Sequence, residues 1–131
     1  MMNAQKTIEK LTTDAQAHTA DLRMVRTIAV DQWARQGDIN IQRISAHTKA
    51  KPTDDRQLAP GTTKGSRHIV VGDVTIYPPI GNDPLTGPTI HAPERFTVTH
   101  PEHADVSLPS GDYAVTYQRD YAQEERARVA D

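Results

Sequence analysis

The stretch WARQGDINIQRI, Trp33 to Ile44, decides how the fold is read. Upstream of Gly37 the chain has neither Gly nor Pro back to Asn3, and helix formers dominate. Ile8, Leu11, Ala15, His18, Leu22, Val25 and Ala29 recur there in alternating steps of three and four. That is a heptad seam, which Ile28 and Trp33 widen. The pattern predicts an N-terminal amphipathic helix over residues 1–36, some 30 residues reaching about 45 Å at 1.5 Å per residue. Gly37 is then the achiral residue on which helices commonly stop. A helix that long must dock on another chain or lie across its own domain. The rest of the chain is short of apolar surface to receive it, so the seam predicts an oligomer interface. Ile8, Leu11, Leu22 and Val25 would meet a second copy or a protein partner, as in a coiled coil.

Downstream of Gly37 the period changes from helical to alternating. Ile39 and Ile41 alternate with polar residues, as do Phe96 with Val98, and Tyr113 with Val115 and Tyr117. Gly72-Asp73 separates HIVV from DVTIY and predicts a hairpin between them. Residues 46–67 and the stretch PPIGNDPLTGPTIHAP, residues 78–93, read as loops, because Pro and Gly interrupt any regular strand. The last ten residues, AQEERARVAD, turn helical again. The expectation is therefore an α+β protein. A long N-terminal helix precedes a β-rich domain at 37–131, a small antiparallel barrel or sandwich of five to seven strands that ends in a short helix.

Composition bounds the function. The 131 residues are 36% apolar and 5% aromatic, lean for one large core. A net charge of −2 gives no basic face and so no support for nucleic-acid binding. The absence of cysteine removes disulfides, thiolate nucleophiles and sulfur-liganded zinc. No run approaches the roughly 20 apolar residues of a membrane span, and no signal peptide is visible. The expected location is cytoplasmic.

Several short motifs resemble a family of small bacterial and phage-encoded proteins of no established activity. They are Arg35-Gln36-Gly37-Asp38 with its alternating strand, Gly65-Ser66-Arg67-His68, and Thr99-His100-Pro101-Glu102-His103. Leu108-Pro109-Ser110-Gly111-Asp112-Tyr113, Gln118-Arg119-Asp120-Tyr121 and Val129-Ala130-Asp131 complete the pattern. Ser66 departs from it, standing where the family tends to carry a first histidine. The resemblance implies a compact β-rich domain and carries no activity.

Three constellations could carry chemistry. His100 and His103, with His68 and Glu102 as further ligands, offer neutral imidazole nitrogens to a divalent metal. The competing reading makes the pair polar strand-end residues that cap backbone groups. Lys64 and Arg67 in GTTKGSRH, and Arg119 between Tyr117 and Tyr121, could bind an anion. Their competing readings are a basic loop entering a strand and a structural ion pair. No serine lies in G-x-S-x-G, and no catalytic residue is identified. Two functions follow. The first is a non-enzymatic interaction or accessory module, of the kind phages encode, assembling through its helix and needing no cofactor. The second is a small metal- or anion-binding protein or enzyme that uses a His/Arg cluster at one end of the β domain.

Overall fold

A computed structural model describes residues 22–47 and 50–118. Nine strands form two sheets, and the one helical turn among the described residues is a 3-10 turn at Lys64–Ser66. The strands are β1 (Leu22–Met24), β2 (Trp33–Gln36), β3 (Ile39–Ile44), β4 (Ile69–Val71) and β5 (Thr75–Tyr77), then β6 (Thr86–Ala92), β7 (Phe96–Thr99), β8 (Asp105–Leu108) and β9 (Gly111–Tyr117). One sheet runs β1-β8-β7-β4 and the other β2-β3-β9-β6-β5. Every pairing is antiparallel except β1 with β8.

Alternation builds the core between the sheets. Ile39, Ile41, Ile76, Ile90, Tyr113 and Val115 point inward from the five-stranded sheet, and Val70, Phe96, Val98, Val106 and Leu108 from the four-stranded one. Phe96 and Tyr113 meet edge to face across the layers, ring centroids 5.4 Å apart. The residues left on the other parity of β3, β5, β6 and β9 face outward, half-buried. That outer face carries the candidate site.

The long helix is overturned over its described half. Leu22–Met24 and Trp33–Gln36 are strands belonging to the two sheets, so residues 22–36 form no coiled-coil seam. The fold is β rather than α+β among the described residues. The cause lies at Gly37, whose positive φ of +57° suits a helix stop but equally suits the first central position of a two-residue hairpin turn. Gln36 pairs with Ile39 across Gly37-Asp38, and Trp33 with Gln42. Ladder bonds and the inward burial of Gln36 outweigh a helical propensity with only a thin apolar stripe behind it. Leu22 is an exposed strand residue, and Val25 packs at the margin of the core. Ala29 is exposed, while Ile8, Leu11, Ala15, His18, Arg119 and the predicted C-terminal helix lie outside the described residues.

Two other expectations change. Gly72 does take a positive φ, of +133°, but β4 and β5 form no hairpin. The chain there passes from one sheet to the other, β4 pairing with β7 and β5 with β6. Residues 78–93 are not wholly loop either, since Thr86–Ala92 is a seven-residue strand. Its register shifts between Thr86 and Thr89, and Pro88, which has no N–H to give a ladder, sits inside that irregularity. No helix of the described residues is long and apolar enough to cross a membrane.

Candidate metal centre

The outer face of the five-stranded sheet places His91 directly opposite Asp112, as Cα partners on β6 and β9. The same cross-strand row continues to Thr75 on β5 and Ile44 on β3. His47, three residues past the end of β3, folds back over this row. Its ring stacks on Tyr77 of β5 at 5.0 Å and 14°, and meets His91 at 4.6 Å. A rigid sheet therefore positions two of the three groups, and an aromatic neighbour holds the loop histidine in place.

The three side chains converge on one oxygen. His91 Nδ1 lies 2.7 Å and His47 Nδ1 3.0 Å from Asp112 Oδ1. A carboxylate can only accept, so each imidazole presents Nδ1–H to it. Among the described residues this is the one group of three or more whose ligand atoms lie within 4.8 Å of one another. The two distances are somewhat below the spacing of neighbouring ligands around an ion with bonds of about 2.1 Å, which is about 3.0 Å in an octahedron and about 3.4 Å in a tetrahedron, so a small separation of the groups would admit an ion. The protons can be displaced by moving each to Nε2, which leaves Nδ1 free to ligate. Two imidazoles with one carboxylate suit zinc, nickel, cobalt or iron, whereas calcium and magnesium favour all-oxygen shells.

The histidines singled out in the sequence also come together, but otherwise. His68 and His100 rings lie 4.3 Å apart, and His100 and His103 rings 4.6 Å, in a run from the core to the surface. His100 accepts the Glu102 N–H at Nδ1 and therefore donates from Nε2 to Gly65 O. Both its nitrogens are thus committed to backbone. Gln36 donates to Val98 O and Ala104 O, which turns its side-chain oxygen toward His68 Nδ1, 2.8 Å away. His68 is a buried Nδ1–H tautomer, and its Nε2 has no hydrogen-bond partner among the described residues. Burial, with His100 and His103 nearby, pushes its pKa down to about 3. The three rings form a clasp between the β2–β3 turn and the opposite sheet, and their nitrogens do not face a common point. Lys64 and Arg67 are both exposed around the 3-10 turn.

Sequence reasoning missed His47, His91 and Asp112. His91 lies in the stretch read as loop, and His47 follows a strand end with no spacing motif. The one available signal was parity: Tyr113 and Val115 inward put Asp112 outward. Its partnership with His91 depends on the β6–β9 register, which local pattern does not encode.

A β sandwich with a histidine–carboxylate cluster on its outer face is the class this geometry defines. The chain belongs to the family of a domain of unknown function, DUF8820, which matches residues 35–118. The matched span contains the three converging residues and the histidine clasp, and leaves out β1. No curated protein and no solved structure matches the chain.

Proposed function

We propose that this protein is a non-enzymatic accessory module whose β sandwich binds a divalent transition-metal ion through His47, His91 and Asp112. The observation that carries this is the approach of two imidazole nitrogens to one carboxylate oxygen at 2.7 and 3.0 Å. The ligands are partly exposed, with side chains between 20 and 42% accessible, so an ion can reach them from solvent. Catalysis is the weaker use. Grooves of about 510 and 480 Å³ lie elsewhere, and none of the three residues lines them. Among the described residues neither groove would wall a substrate placed over the ion, orient it or exclude water. A bacterial or phage origin, which the sequence motifs suggest, suits an accessory role.

Titration of chelator-stripped protein with zinc or cobalt tests the assignment. His91→Ala should weaken binding at least about tenfold, the scale on which loss of one ligand interaction is felt. His103→Ala, outside the site, should bind as the parent does. An unaltered affinity in His91→Ala, or no binding by the parent, would refute the reading.

A further inference from the structure

Among the described residues the donor set stops at three, with side chains 20 to 42% accessible. Nickel and cobalt take octahedral shells, whose ligands about 3.0 Å apart lie close to the hydrogen-bonded spacings of 2.7 and 3.0 Å in the triad. Three such ligands would occupy one triangular face of an octahedral ion, leaving the opposite face toward solvent. The surroundings are unusual for a chain in which 24% of residues are charged. Around His91 and Asp112 lie Ile44, Thr75, Tyr77, Thr89 and Ala114. Asp112 and, on the edge strand β2, Arg35 are the charged residues at outward positions of this sheet. Depletion of charge is the compositional mark of an interface centre.

We infer that this face pairs with the same face of a second copy, and that one metal ion on the two-fold axis joins them. This rests on the metal-binding reading above. Two equivalent triads supply four imidazole nitrogens and two carboxylate oxygens, a complete octahedral shell for nickel, cobalt or zinc. An isologous contact suits the geometry, because each copy lacks what the other provides. Size makes the pairing conditional on the ion. Four strands about 4.8 Å apart, each presenting about 20 Å, give roughly 400 Å² per copy, half the roughly 800 Å² of a stable interface. The face alone is too small to hold a dimer, and the shared ion supplies the remainder.

Sedimentation equilibrium of the full chain, stripped of metal and then titrated with nickel, tests the inference. The expected result is a monomer that becomes a dimer, with the transition complete at one ion per two chains and reversed by chelator. Ala114→Arg, which places charge on the face without touching a ligand, should bind nickel yet remain a monomer. One tightly bound ion per chain with no change in mass would overturn the shared site and leave the metal reading intact. Failure to bind nickel, zinc or cobalt at all would overturn both. A dimer that survives chelation would overturn the dependence on the ion.

Discussion

His68 is the residue whose environment departs furthest from that of a free side chain. It is fully buried, hydrogen-bonded through Nδ1 to Gln36, and held at a pKa of about 3 against the ordinary 6.5 by burial first and by His100 and His103 second. The unfolded chain takes up a proton at this position near the ordinary value, whereas the folded chain does not. Stability is therefore fully present above about pH 6.5 and is lost as pH falls toward 3, at most about 1.4 kcal/mol per pH unit from this group. Asparagine can keep a donor near the Nδ1 position but cannot titrate. Urea midpoints measured from about pH 7.5 to about pH 4.5 should fall less steeply in His68→Asn than in the parent. Parallel loss in the two proteins would show that the acid sensitivity lies elsewhere. This histidine was legible in the sequence as one to watch, and so were His100 and His103. What was not legible was that backbone groups consume both nitrogens of His100, since that depends on a turn bringing Gly65 within 3.0 Å.

Among the elements, the β2–β3 hairpin shows how one residue type serves two structures. Gly37 was read as a helix stop because helix formers precede it, and its left-handed φ fits that role as well as a hairpin turn. The choice is made by tertiary contacts absent from any local window. Gln36 bridges to Val98 of the opposite sheet and to Ala104 just before β8, and His103 packs directly on Gly37, its Nε2 only 2.6 Å from where a Cβ would stand. Gly37→Ala therefore suffers both backbone strain and displacement of His103, a loss of about 1–3 kcal/mol. Gly81→Ala has a positive φ with nothing within 4 Å, so it should lose less. Equal shifts in the two unfolding midpoints would remove His103 from the explanation. The alternation of β3, β7 and β9 was legible, Tyr113, Val115 and Tyr117 most clearly, because period-two burial is written into consecutive residues. The strand through Pro88 was hidden, because a bulge accommodates a residue that the ladder rule excludes.

At the scale of the whole molecule, two sheets enclose one apolar layer and leave a polar face on which distant segments meet. His47, His91 and Asp112 are brought together by the order β3-β9-β6-β5, not by any spacing in the chain. That is why the family motifs pointed to the clasp at the other histidines, and why the converging triad was invisible before the topology. A metal held there would tie the segment after β3 to strands β6 and β9. It should stabilise the fold by mass action as its concentration rises above the dissociation constant. Crystals grown with zinc, with anomalous differences recorded at the zinc edge, locate the ion directly. The triad should show a peak about 2.0–2.2 Å from His47 Nδ1, His91 Nδ1 and an Asp112 oxygen. A peak at His68, His100 and His103 instead, or none at the triad in protein saturated with zinc, would contradict the assignment.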